Sequence, residues 1–152
     1  MPLNLPEYPL KVKKNGSRLS VFDRLRKRYV ALTPEEWVRQ HFVEYLIEAK
    51  QFPAALMANE VSLTQNGIKR RCDTLVADRE GKPLVIVEYK APEIEITQQV
   101  FDQIVRYNMV FRARYLMVSN GMAHYCCQID YENNTYSFLS EIPCYDELQG
   151  IS

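Results

Sequence analysis

Three residues near the middle of the chain have the types and spacing that hydrolysis of a phosphodiester needs. Asp73 stands near the start of one apolar run, Glu88 closes the next run, Leu84-Val85-Ile86-Val87, and Lys90 comes two residues later. Glu80-Gly81, between the runs, reads as a tight hairpin turn. A hairpin folded symmetrically about that pair sets Asp73 opposite Glu88. Directly opposed residues have Cβ atoms roughly 4.5–5.5 Å apart, and side chains repeat every second residue, so Lys90 shares the face of Glu88. The same register sets Arg71 against Lys90, and their like charges favour divergence of the strands or a bulge there.

Adjacent carboxylates resist joint ionisation unless a cation neutralises them. A hard divalent ion such as Mg²⁺ does so with one or two carboxylates while keeping several waters. A nearby lysine then orients a metal-bound water or helps to deprotonate it. The plain alternative is a surface hairpin with an ion pair at its rim.

Asp73, fourteen intervening residues and then Glu88-Tyr89-Lys90 resembles the D-x(n)-E-x-K signature of the PD-(D/E)XK, or restriction-endonuclease-like, nucleases. Cys72 stands where that family often has proline. The resemblance implies DNA as substrate and Mg²⁺, or Mn²⁺ in its place, as cofactor. It implies that Asp73 and Glu88 hold the metal, with the Tyr89 carbonyl as a further ligand, and that Lys90 acts on the attacking water.

Gln103 and Tyr107 lie four apart and so on one helical face. They resemble the Q-x-x-x-Y motif of RecB-like members, which implies contact with DNA beside the metal. An amphipathic helix with an ordinary polar face is the plain reading. The family also carries a glutamate on its first helix, for which Glu36 and Glu44 are candidates, about 12 Å apart along the axis at 1.5 Å per residue. The stretch P-E-E-W-V-R-Q is similar to the first helix of the N-terminal nuclease domain of type I restriction enzyme R subunits, and on that resemblance Glu36 is the choice.

The elements that must position these residues follow from local signals. Thr33-Pro34-Glu35-Glu36 predicts a helix start, with Thr33 as N-cap, Pro34 in the first turn and Glu36 completing a capping box. Trp37, Val38, Phe42, Tyr45, Leu46 and Ile47 supply its apolar face through about Lys50. Strands are expected over 56–65, 68–77 and 83–90, the first two joined at Asn66-Gly67. Thr97 caps a helix expected over about 97–111, followed by a strand over 115–118 and a hairpin of 124–131 with 135–139 around Asn133-Asn134. This order resembles the αβββαβ core of the same superfamily. The expectation is one α/β domain over 1–152, a mixed central sheet flanked by helices with a C-terminal hairpin, and residues 1–20 as an extended arm.

Composition narrows the alternatives. The 152 residues suit one domain with a single core. Lys plus Arg and Asp plus Glu number 19 each, so nucleic-acid binding must come from a local patch. The charge run Arg24, Arg26, Lys27 and Arg28 reads either as a solvated surface or as such a patch. The four cysteines form no C-x-x-C pair and read as buried free thiols. No run reaches the roughly 18 apolar residues of a membrane span, and the N-terminus lacks a signal-peptide apolar region, so cytoplasmic residence is the default. No G-x-x-x-x-G-K-[ST] occurs, so the chain has no such motor motif of its own, and motor or specificity subunits of a restriction system are the partners the resemblance implies. A non-cleaving nucleic-acid-binding or partner-docking module on the same fold is the alternative function.

Overall fold

The computed structural model describes residues 2–149. Among them β1 (Val12–Asn15), β2 (Arg18–Asp23) and β3 (Arg28–Ala31) form a small antiparallel sheet. Next come α1 (Pro34–Glu48), β4 (Met57–Gln65), β5 (Ile68–Ala77) and β6 (Pro83–Tyr89). The chain continues through α2 (Gln98–Asn108), β7 (Tyr115–Ser119), β8 (His124–Asp130), β9 (Thr135–Phe138) and α3 (Tyr145–Gln149). The central sheet runs β4-β5-β6-β7-β8-β9 and is antiparallel except for β6 against β7, the pair bridged by α2. This is the mixed α/β architecture expected.

Helices cover both faces of that sheet. On one face Val38, Phe42 and Leu46 of α1 join Val85, Val87 and Met117 in a core. On the other, Phe101, Ile104 and Val105 of α2 pack with Ile86, Leu116 and Val118. Burial from both sides explains why β6 and β7 read as continuous apolar runs and do not alternate.

Local chemistry sets the element ends. The Thr33 hydroxyl accepts the Glu36 N–H at 3.0 Å and starts α1, and the Thr97 hydroxyl accepts the Val100 N–H at 3.2 Å and starts α2. The β4–β5 turn has φ of +54° at Asn66 and +77° at Gly67, as a type I′ hairpin turn requires. Cys72, Cys126 and Cys127 are buried free thiols, and burial pushes each up to about 12.

Three local expectations are corrected. Of the stretch read as an arm, residues 2–11 are irregular. From Val12 it folds as a hairpin about Gly16-Ser17, where Gly16 takes φ +65°, so this glycine turns the chain back on itself. The β5–β6 connection is not a two-residue turn at Glu80-Gly81. Asp78 accepts from the Glu80 and Lys82 N–H groups, both at 2.9 Å, and organises a longer loop with a register shift at Val76/Ala77. Glu36 does not complete a capping box, because its carboxylate turns inward to Arg39 and Gln40.

Candidate functional site

The site is built at an interruption of two ladders. Asn59 pairs with Thr74 and Val61 with Cys72, but the intervening Glu60 and Asp73 are unpaired, and Glu60 takes φ +57°. Alternate residues of a strand normally share a face. Here Cys72 packs in the core beneath α2, whereas Thr74 bonds Asn59 and Tyr89 on the α1 side. The kink at Glu60 and Asp73 therefore switches the sheet from one face to the other. On its other edge, β5 pairs with β6 in the expected register through Thr74 opposite Val87. The ladder then stops, and the Asp73 carboxylate accepts the Tyr89 N–H at 2.9 Å. The strands diverge where Arg71 and Lys90 would have met.

Glu88 projects into this fork. Its Oε1 is buried with no hydrogen-bond partner among the described residues, and the Asp73 charge acts on its carboxyl. Burial first, and the Asp73 charge second, push the Glu88 carboxyl up to about 9, although the Asn108 amide pulls it down. Burial and the neighbouring charge thus favour the protonated form of the Glu88 carboxyl, and a bound cation would favour the ionised one. No group of three or more His, Cys, Asp or Glu side chains suited to a metal occurs among the described residues. Two carboxylates, one of them with an orphaned oxygen, fit a hard ion that keeps several waters, and not a four-ligand zinc centre.

The α2 side of the fork carries the remaining expected residues. Glu88, Lys90, Gln103, Ile104, Tyr107 and Asn108 line one cavity, so Gln103 and Tyr107 share the space of Glu88 and Lys90, whereas Asp73 lines a second cavity on the α1 side. Gln103 is exposed, and Tyr107 is 45% exposed with the Arg70 guanidinium 4.8 Å from its ring centroid. Asn108 was not among the sequence candidates. It is buried, donates to the Ile104 carbonyl at 2.9 Å and leaves its Oδ1 unpartnered beside Glu88.

The α1 side is organised by a residue that sequence reasoning missed. Arg39 is buried and divides its donors among four acceptors. Nε reaches Glu36 Oε2 at 2.9 Å, Nη2 reaches Glu36 Oε1 at 2.7 Å and Glu60 Oε1 at 3.1 Å, and Nη1 reaches the Asp73 carbonyl at 2.9 Å. One guanidinium thus clips both residues of the kink. Glu36 also accepts from Gln40 at 2.8 Å and Arg26 at 3.0 Å. Burial would raise its pKa, but the bonds from Arg39 and Gln40 and the charges of Arg39 and Arg26 outweigh it and hold the carboxyl low.

Glu36 lines a cavity with Asp73, but its oxygens are committed to Arg26, Arg39 and Gln40, and Glu88 lies in the other cavity. Glu44 is further removed and pairs with Arg24 at 2.9 Å. The i, i+3, i+4 spacing of Glu36, Arg39 and Gln40 was the readable sign of this cluster. A second chain of bonds backs the site: Asn59 donates to Asp23 at 2.9 Å, Thr74 donates to Asn59 at 2.6 Å, and Thr74 meets the Tyr89 hydroxyl at 2.9 Å.

Comparison with known proteins gives the arrangement a context. The family model described as type I restriction enzyme R protein N terminus matches residues 34–143. No curated protein matches the chain. Among solved structures, a fragment assigned to the HsdR subunit of a type I restriction enzyme from Vibrio vulnificus YJ016 is similar, with a TM-score of 0.54 and 21% identity. That match covers 77% of this chain and 24% of the other, so the chain spans about a quarter of its length. A DrdV–DNA complex solved by cryo-electron microscopy is a weaker match, with a TM-score of 0.45 and 13% identity over 76% of this chain and 11% of that one.

Proposed function

This chain belongs to the family of type I restriction enzyme R protein N termini, and from that membership we propose that it is a metal-dependent DNA endonuclease domain of the PD-(D/E)XK class. The observation that carries the proposal is the buried, unpartnered Oε1 of Glu88 set against the Asp73 carboxyl. Such a pair is stable in its ionised form only with a cation between or beside its oxygens.

Asp73 and Glu88 would hold the ion, and the family resemblance adds the Tyr89 carbonyl as a further ligand. Bound Mg²⁺, or Mn²⁺ in its place, supplies charge neutralisation at the phosphate and acidifies a water. Lys90, in the cavity of Glu88, orients the attacking water and holds or gives a proton at Nζ. The Gln103 amide and Tyr107 hydroxyl, on the same cavity wall, position the scissile phosphate. Arg39 acts one step back, by fixing the main chain of Asp73. Glu36 serves through Arg39.

Calorimetry with Mn²⁺ and a plasmid-nicking assay test this reading on the wild-type chain and on Asp73→Asn, Glu88→Gln and Lys90→Ala. Metal uptake that is lost in the two acid variants, with nicking lost in all three, is the expected result. A wild-type chain that takes up no metal refutes it.

One observation favours a second reading. Among the described residues the acid pair has no third His, Cys, Asp or Glu ligand. A DNA-binding or partner-docking module that does not cut in isolation follows if the two acids bind no metal. In either reading we propose the cytoplasm as location and the motor or specificity subunits of a restriction system as partners.

A further inference from the structure

We propose that the small sheet β1–β3 is a separate binding surface for the sugar–phosphate backbone of duplex DNA, placed to hold that backbone beside the Asp73 cavity; the choice of DNA rests on the nuclease reading above. The chain is neutral as a whole, yet Lys11 to Leu32 holds eight Lys and Arg against one acid, Asp23. That acid is fully buried and is committed to Arg26, to Asn59 and to the main-chain N–H groups of Leu25 and Arg26. Of the eight cations, Arg24 pairs with Glu44 and Glu48, and Arg26 with Asp23 and Glu36. The other six, Lys11, Lys13, Lys14, Arg18, Lys27 and Arg28, are exposed, and no ion pair to any of them occurs among the described residues.

A cluster of unpaired cations repels itself and carries a counterion cost that a polyanion relieves. Two of these cations are also held in place. The Lys13 ammonium sits 4.0 Å from the centroid of Tyr29, and Lys11 sits 5.5 Å from that of Phe22. The two rings brace each other edge-on, with centroids 5.3 Å apart. Arg18 alternates along β2 with Ser20 and Phe22 and so belongs to the same face. The face therefore presents cations at set positions, as backbone recognition uses them.

The sheet is also fixed relative to the acids. Val30 and Ala31 of β3 form a wall of the cavity that Asp73, Glu60, Arg39 and Tyr89 complete. The Asp23–Asn59–Thr74 and Arg26–Glu36–Arg39 bonds tie the β2–β3 turn to that cavity through buried groups. Asp23 and Arg26 are thus structural, while Lys11, Lys13 and Arg18 stay free for a ligand. The sheet lies outside the stretch 34–143 matched by the family model, so family membership does not account for it.

The test is fluorescence anisotropy of the whole chain with a labelled random-sequence DNA duplex, in EDTA, over a range of salt. EDTA removes cutting from the measurement. The wild type should bind with a steep salt dependence. Replacing Lys11, Lys13 and Arg18 together by alanine should flatten the slope of log K against log salt by about 0.9 for each phosphate no longer neutralised, with affinity reduced tenfold or more. The exchange Lys11→Arg, Lys13→Arg and Arg18→Lys should restore the slope. Equal affinity and slope in wild type and alanine variant overturns the proposal. So does failure of the charge-keeping exchange to rescue a loss, or wild-type binding to vesicles of anionic lipid with none to the duplex. Mn²⁺ calorimetry separates the two readings: a chain that takes up no metal but loses DNA in the alanine variant keeps this surface and gives up the nuclease site.

Discussion

The Arg39 guanidinium donates to the main-chain carbonyl of Asp73 at 2.9 Å, and the same Nη2 that holds Glu36 also reaches Glu60. Asp73 and Glu60 are the two residues that leave the β4–β5 ladder. A carbonyl freed from a ladder needs a donor, and a non-glycine residue at φ +57° needs contacts that offset its strain. Arg39 meets both needs from inside the protein.

Arg39→Ala is therefore expected to destabilise the fold by about 1–3 kcal/mol, because it leaves the Asp73 carbonyl without its donor and the buried Glu36 carboxylate with only Arg26 and Gln40. Arg39→Lys keeps a charge but not the fork geometry. It should fold, bind Mn²⁺ more weakly and nick more slowly. Urea denaturation with calorimetry checks both. A loss below about 1 kcal/mol for Arg39→Ala would remove Arg39 as organiser of the kink.

The strand register at this site was readable because two apolar runs of fixed length flank a turn signal, and packing on both faces leaves little room for slippage. It survived a wrong turn type, since a register shift at Val76/Ala77 took up the difference before the site. Helical spacing gave Gln103 and Tyr107 a common face, while its direction toward Glu88 and Lys90 followed only from the resemblance to the Q-x-x-x-Y motif. The pairing of Arg39 with Glu36 was legible in their i, i+3 spacing, but its bond to the main-chain carbonyl of Asp73 was hidden, since no side-chain pattern announces that acceptor. The sheet β1–β3 was hidden because short strands of lysine and arginine carry no apolar alternation strong enough to mark them. Glu36 was misread because the first-turn glutamate of a capping box and a buried anchor for Arg39 look alike in sequence.

The Glu88 proton gives a pH dependence of definite sign. Its folded pKa, about 9, lies above the ordinary value of 4.5. Between these values the folded state binds more protons than the unfolded state, so stability of the metal-free protein falls as pH rises through the window. Thermal melting in EDTA should show a lower Tm at about pH 8.5 than at about pH 6. Glu88→Gln carries no titrating group and should flatten that trend without unfolding the protein. A wild-type Tm that rises over this range contradicts the assignment.

The acid limb has the opposite sign and a different place. The bonds and charges on Asp23 and Glu36 overcome burial and hold both pKa values below the ordinary values of 3.8 and 4.5. Their contribution to stability is present above those values and is lost as pH falls through the lower folded ones. Both carboxylates sit where β1–β3 joins the body. Hydrogen exchange at about pH 3 should therefore show the amides of β2 and β3 exchanging before those of β6 and β7. Simultaneous loss of protection in both sheets would show that the joint is not the weak point.

Lys90 and the acid pair should separate cleanly, because they act on different things. Asp73→Asn and Glu88→Gln remove charge from the proposed ion site, so Mn²⁺ binding should weaken and nicking should stop. The amide oxygen of Asp73→Asn can still accept the Tyr89 N–H, and Glu88→Gln keeps a neutral side chain of similar shape, so both variants should stay folded. Lys90→Ala leaves both acids in place. Its main-chain N–H to the Ser119 carbonyl, at 2.9 Å, does not depend on the side chain, so the end of β6 should keep its course. Metal uptake should persist while nicking falls by about 10²–10⁴, the range for loss of a group that moves a proton. Gln103→Ala and Tyr107→Phe should also keep the metal, but raise the DNA concentration needed for half-maximal nicking. Lys90→Ala that loses metal together with activity would mean that the ammonium shapes the acid pair and does not serve the water.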